Sequence, residues 1–131
     1  KLHQKCDANW NFIRSLEVTT LSVHDSQVDL SEKNDKKMYR DKGYAGVPLK
    51  FKNVVDKTMR KAYRNSPLTK KDKLWNKRIS KIRAVGERPF SVIKNVFHRG
   101  QTFVKTLPRV LVQQTFNAFS FNVYNLYTFM R

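Results

Sequence analysis

The apolar positions of this chain change period along its length. Up to Arg40 they come in short alternating or β-branched runs, and from about Thr69 onward they recur every three or four residues. In residues 12–23, rich in Val, Thr, Ile and Leu, the positions Leu16, Val18 and Thr20 share one side, which predicts a strand. Residues 1–7 are its expected partner strand, with Ala8-Asn9-Trp10-Asn11 as the turn. Asp25 or Ser26 is placed to cap a short helix through Glu32. Residues 37–40 read as a short strand ending at Asp41, after which Gly43 and Gly46 punctuate a loop and Pro48 discourages helix.

Val54, Val55, Met59 and Tyr63 predict a helix ending near Asn65-Ser66-Pro67. A second helix is expected from about Thr69, with Leu74, Arg78 and Ile82 on one stripe. Phe90, Ile93 and Phe97 continue a helical pattern to Gly100, and a last helix starts near Pro108. In that helix Val112, Phe116, Phe119, Val123, Leu126 and Met130 are expected to pack on a core. Strands come first and helices after, so the chain is α/β or α+β, with the basic surface mainly on the later helices. Neither internal repeats nor low-complexity runs are present.

A length of 131 residues suits one modest domain, and 40% hydrophobic residues suffice for a packed core. The charge narrows the function. A formal net charge of +17 works against compaction and points to a polyanionic partner, nucleic acid or an acidic membrane surface. Between Lys50 and Arg99 there are sixteen Lys and Arg but three acids: Asp56, Asp72 and Glu87. Tyr63, Trp75, Phe90 and Phe97 are interleaved with these cations, a pattern that suits nucleic acid. Cys6, the single cysteine, permits no internal disulfide and fits a reducing cytosol. The chain opens at Lys1 without a signal-peptide pattern, and we read it as a piece of a longer polypeptide.

Val110 to Met130 carries no charge and has the length of a membrane span, but Gln113, Gln114, Asn117, Asn122 and Asn125 load it heavily for hydrocarbon. A buried helix is the better reading. His3, Cys6, Asp7 and His24 lack the paired spacing of a zinc site. The four glycines are too scattered for a phosphate loop. The adjacent His24-Asp25-Ser26 is an unsuitable triad, since triad geometry takes residues from separate elements.

Two acids stand out. Asp41, in Asp41-Lys42-Gly43-Tyr44, sits where a strand ends, the usual place for ligands in sheet-based sites, although taken alone an ordinary turn is the better reading of it. Arg83, Glu87 and Lys94, spaced by four and seven, would fall within about 40° of one another on an unbroken helix. A carboxylate between two cations suits a metal ion with a phosphodiester. The plainer reading is an ion pair between Arg83 and Glu87. Pro89 either kinks that helix or begins a new one with Glu87 at its lip.

These motifs together resemble the C-terminal part of the catalytic domain of DDE-type insertion-sequence transposases. Asp41 opens the Asp-Lys-Gly-Tyr element, and Arg83, three residues, Glu87, six residues, Lys94 fits the family signature. The aromatic that precedes that Arg in the signature falls on Ser80, a departure. Val23-His24-Asp25-Ser26, Asn76-Lys77-Arg78-Ile79-Ser80, Glu87-Arg88-Pro89-Phe90 and the late Phe-Asn-Val-Tyr-Asn-Leu run resemble the same group, so the likeness spans nearly the whole chain.

The resemblance implies an RNase H-like core with a mixed sheet and helices, truncated at its N-terminus, with strands over about 1–45 and a basic helical region over about 50–131. It implies three carboxylates holding two Mg²⁺ (or Mn²⁺) ions, with Asp41 as the second acid and Glu87 as the third. These two would then converge to roughly 4–8 Å. Arg83 and Lys94 would contact DNA near the site, with Arg88, Lys77 and Arg78 as further DNA-binding residues. The first acid would lie upstream of Lys1, Asp7 being on the wrong element, so the chain alone is expected to be inactive. The partners implied are transposon ends and target DNA, with no membrane, a homodimer in the full-length protein and a cytoplasmic, nucleoid-associated location.

Overall fold

The computed structural model describes all residues 1–131. They divide into two compact units, Lys1–Val23 with Val85–Arg131, and His24–Ala84.

In the first unit, strands β1 (Leu2–Cys6) and β2 (Ile13–Val18) form an antiparallel hairpin, with a bulge between Lys5 and Cys6. Strand β2 is shorter than the alternation predicts, because its ladder with β1 ends at the Leu2–Val18 pair. Asp7 ties the turn. Its Oδ1 accepts from the amides of Asn9 (3.1 Å) and Trp10 (2.6 Å), and its Oδ2 from Phe12 (2.9 Å). Asn11 takes the left-handed conformation that closes the turn, φ 58°, which Asn tolerates better than most residues. Helix α2 (Arg88–Asn95) and helix α3 (Leu107–Met130) complete the unit. Ile13, Ile93, Ala118 and Phe121 form its core, with Cys6, Leu16, Val92 and Phe97 packed against them.

Helix α3 reverses the expected orientation. The predicted apolar stripe is exposed: Phe116 by 67%, Phe119 by 66% and Met130 by 78%. The inward face runs instead through Gln113, Gln114, Asn117, Ala118, Phe121, Asn122 and Asn125. The reason is visible in the hydrogen bonds. The Asn122 amide pairs with Ile13 as a strand would, accepting from its N–H and donating to its C=O, both at 2.9 Å. Asn125, fully buried, donates Nδ2 to Trp10 O at 2.7 Å. Backbone groups at the end of the hairpin need partners, and amide side chains supply them where apolar ones cannot. No helix of the structure is long and apolar enough to cross a membrane.

In the second unit, β3 (Lys37–Arg40) pairs in parallel with a strand β4 (Val55–Thr58), Lys37 opposite Val55 and Arg40 opposite Thr58. The helix expected over residues 54–63 is therefore a strand and a turn. Adjacent β-branched Val54 and Val55, stiff at χ1, fit a pleated ladder when a partner is present. The short helix expected after Asp25 is a single 3-10 turn, Asp25–Gln27, capped by the His24 side chain rather than by Asp25 or Ser26. The two sheets are separate, one antiparallel and one parallel, each of two strands.

Helix α1 (Lys70–Val85) starts where expected. Thr69 and Asp72 cap it reciprocally: Asp72 N–H donates to Thr69 Oγ1 (3.2 Å) and Thr69 N–H to Asp72 Oδ2 (3.1 Å). The Thr69 hydroxyl, donating to Asp72 Oδ2 at 2.7 Å, and after it the Thr69 amide hold the Asp72 carboxyl below its ordinary range. The inward face is Asp72, Trp75, Asn76, Ile79, Ile82 and Arg83, not the Leu74–Arg78–Ile82 stripe. Leu74 is exposed, while Ile79 is buried at 2%. Asn76 repeats the device of Asn122. It accepts from Arg60 N–H at 2.7 Å and donates to Arg60 C=O at 2.9 Å.

Candidate metal and nucleic-acid site

Asp41 follows β3 directly, at the carboxyl end of a parallel strand. Its Oδ1 accepts from Lys42 N–H at 2.6 Å, capping the 3-10 turn Lys42–Tyr44. The same oxygen lies 3.8 Å from Arg83 Nη1, and the Asp41 side chain is 45% exposed. Arg83 is thus brought to Asp41, whereas the spacing alone suggests a pair with Glu87. Arg83 is on the inward face of α1, and its Nη1 also reaches Met59 Sδ at 4.0 Å.

Beneath this pair lies a residue the sequence reading missed. Arg40 is 5% exposed and makes three contacts: Nε to Thr58 Oγ1 (2.9 Å), Nη2 to Val47 O (2.7 Å) and Nη2 to Asp56 Oδ2 (2.5 Å). Thr58 Oγ1 in turn donates to the other Asp56 oxygen at 2.5 Å. The Arg40 guanidinium also sits 5.4 Å from the Tyr44 ring centre. It ties β3 to β4 and to the segment that carries Gly46, and so fixes the strand end from which Asp41 emerges. The one sequence signal was a cation at the last position of a predicted strand, where a buried charge demands partners.

Electrostatics around the pair are mixed. Burial pushes the Tyr44 phenol up, and Asp25 adds to it against Arg40 and Arg83. Burial also pushes the Asp29 carboxyl up, but amide hydrogen bonds from Lys50 (2.7 Å) and Ser31 (2.8 Å) outweigh it and hold the group below its ordinary value.

Glu87 lies in the other unit, exposed, at the junction of α1 and α2. The helix breaks there, and α2 begins with Glu87 in the N-cap position and Pro89 in its first turn. Arg83, Glu87 and Lys94 therefore do not share one helix. Glu87 keeps helical backbone angles (φ −84°, ψ −16°), its C=O accepts from Ser91 N–H at 3.2 Å, and its carboxylate makes no capping bond. Seven residues on, Lys94 returns to the same face of α2, about 10 Å farther along the axis. Its stem packs against Gly100, where an added Cβ would lie 2.9 Å from Lys94 Cγ. Arg88, Lys77 and Arg78 are all exposed.

Carboxylate oxygens are the donors a hard divalent cation takes, so Asp41 and Glu87 suit Mg²⁺ or Mn²⁺ in kind. Within either unit, however, no group of three His, Cys, Asp or Glu is gathered to hold an ion. Asp7 is occupied by its turn. His3 bonds Thr19 Oγ1 at 2.8 Å, and Cys6 is pushed up to about 11 by burial and by Asp7, which makes it a poor ligand.

Residues 1–123 match the family model described as Transposase DDE domain. The transposase for insertion sequence element IS1106 of Neisseria meningitidis serogroup B is 30% identical to the chain over 131 aligned residues, 94% of the chain and 45% of that protein. The chain thus spans less than half the length of this curated relative. No solved structure matches it.

Proposed function

The chain belongs to the DDE transposase family, and we propose that it is part of an RNase H-like catalytic domain that cleaves transposon ends and joins them to target DNA. The observation that carries this reading is Asp41 at the carboxyl end of a parallel strand with Arg83 held 3.8 Å from it, in a strongly basic unit. Asp41 and Glu87 are the two carboxylates that would hold Mg²⁺ or Mn²⁺. Bound there, such ions supply activation of a water or 3′-hydroxyl and stabilisation of the leaving oxygen. Arg83 orients Asp41 and is placed to take a phosphate oxygen by a charge-assisted bond. Lys94, Arg88, Lys77 and Arg78, all exposed, contact the DNA backbone and give binding that falls steeply with salt. With two of three carboxylates in hand, the chain alone does not cut DNA.

Mn²⁺ titration followed by electron paramagnetic resonance tests the assignment. Asp41→Asn and Glu87→Gln should each weaken Mn²⁺ binding about tenfold or more, as loss of one charged oxygen ligand does, while far-ultraviolet circular dichroism stays unchanged. Equal Mn²⁺ affinity in wild type and both variants would falsify it.

A second reading is a non-catalytic DNA-binding module with structural acids. It is favoured by Asp41 Oδ1 already serving a cap and an ion pair. It requires salt-dependent DNA binding with no response to Mn²⁺.

A further inference from the structure

Asn11 and Asn125 are the most deeply buried amide side chains of the first unit, 3% and 0% exposed. Three of their four polar atoms find no hydrogen-bond partner in the protein: Nδ2 and Oδ1 of Asn11, and Oδ1 of Asn125. The fourth, Asn125 Nδ2, donates to Trp10 O at 2.7 Å. That carbonyl belongs to the peptide group that ends in the Asn11 nitrogen, so the two residues meet at one peptide plane beneath α3. A buried polar atom without a partner costs stability, and folded proteins keep few of them.

We propose that the hairpin turn and α3 enclose an internal water molecule held by Asn11 and Asn125. The chemistry of the three atoms selects water. They are one N–H donor and two carbonyl acceptors. A single water gives one proton to Asn125 Oδ1 and one to Asn11 Oδ1, and accepts from Asn11 Nδ2. Three hydrogen bonds are the usual complement of a buried water. A cation would face the amide donor, an anion would face two carbonyl oxygens, and an apolar guest would serve none of the three.

A direct bond between the two amides is the competing arrangement, and it serves the site less well. Asn125 Oδ1 accepting from Asn11 Nδ2 would leave Asn11 Oδ1 buried and alone. Both side chains are also held where they stand. Asn125 is tied to Trp10 O, and the Asn11 backbone is fixed in its left-handed conformation with its N–H donating to Asp7 O at 3.2 Å. Water accounts for the residue type as well. A left-handed position is served by Gly as readily as by Asn, so the backbone at 11 does not itself call for a buried amide. Asn122 and Asn76 each spend both ends of the amide on the backbone of one residue. Asn11 has no such backbone partner, and the water takes that place. It thereby links the turn to α3 one helical turn beyond the Asn122 clamp. The inference uses only the hairpin and α3, and it holds whatever the chain does to DNA.

Water-selective NMR of the full chain tests it. In the wild type the Asn11 side-chain N–H protons should show cross-relaxation with water. In the rotating frame its sign should be opposite to that of chemical exchange, as for a water that tumbles with the protein. Asn125→Leu should abolish the signal, with the Ile13 amide still protected by Asn122 as the check that the hairpin remains docked. A wild type without the water contact overturns the proposal, as does a scalar coupling across a direct hydrogen bond between the two amides. These two readouts need no variant to fold. A contact that survives undiminished in a docked Asn125→Leu chain overturns the shared site.

Discussion

Replacing Asn122 with Ala removes a strand-like pairing from the middle of the longest helix. The side chain accepts from Ile13 N–H and donates to Ile13 C=O, both at 2.9 Å, and Ile13 belongs to the core of its unit. Each such bond is worth about 1 kcal/mol net. The loss also strands two backbone groups of Ile13 beside a half-buried site, and water can partly repair this. We expect a total near 2 kcal/mol, which for a chain of this length lowers Tm by about 7 °C. Tm alone could fall for other reasons, so the specific readout is amide hydrogen exchange by NMR. In Asn122→Ala the Ile13 amide should lose protection while the Arg60 amide, held by Asn76 Oδ1 at 2.7 Å, keeps it. Asn76→Ala should do the reverse. Asn117→Ala, whose amide bonds only Gln114 within the same helix, should change neither. If Ile13 exchanges at the same rate in wild type and Asn122→Ala, the clamp contributes nothing and the account of α3's orientation fails.

Phe121→Ala should cost about 3–5 kcal/mol, because the ring is fully buried against Ile13, Ile93 and Ala118, while Phe116→Ala should cost under about 1 kcal/mol by chemical denaturation. Arg40→Ala should destabilise by about 3 kcal/mol, since it leaves Asp56 and the Val47 carbonyl without their partner, and Arg40→Lys should recover only part of that. Cys6, pushed up to about 11 from an ordinary 9.0, should react with iodoacetamide at pH 8 about a hundredfold more slowly in the folded chain than in urea. Between pH 9 and 11 the unfolded thiol has released a proton that the folded one keeps, so this group's contribution to stability is present below pH 9 and is lost as pH rises toward 11.

Which parts of this fold can be read from the sequence depends on which interaction decides them. The hairpin of residues 1–18, the strand 37–40 and the starts of α1 and α3 are set locally, by alternation, by Asp7 and Thr69 as turn and cap residues, and by Pro near the helix starts. Residues 54–63 are not. Val54, Val55, Met59 and Tyr63 have helical spacing, but Val55–Thr58 finds a parallel partner in Lys37–Arg40, and a ladder between segments this far apart leaves no local trace. The candidate site divides the same way. Asp41 at a strand end is legible from Lys37–Arg40 followed by Gly43. That Arg83 serves Asp41, and that Arg40 holds the strand from below, depends on packing between β3, β4 and α1, which the spacing of Arg83 and Glu87 cannot encode.

Helix α3 shows why a hydrophobic stripe is an incomplete guide to which face turns inward. A stripe measures which face loses most by meeting water, and that comparison assumes the other face has nothing to gain inside. Here the other face carries Asn117, Asn122 and Asn125 at steps of five and three, and two of these amides hydrogen-bond backbone groups of Trp10 and Ile13. An unpaired buried backbone group costs about as much as an exposed aliphatic side chain forgoes, so the two faces compete closely, and three hydrogen bonds with the burial of Phe121 and Ala118 favour the amide face. The same amides that make this neutral segment unsuited to lipid are therefore what dock it on the hairpin. The apolar stripe is then left on the exposed face. Both properties come from one stretch of sequence, because a helix of this length has room for two distinct faces: one matched to backbone, the other apolar.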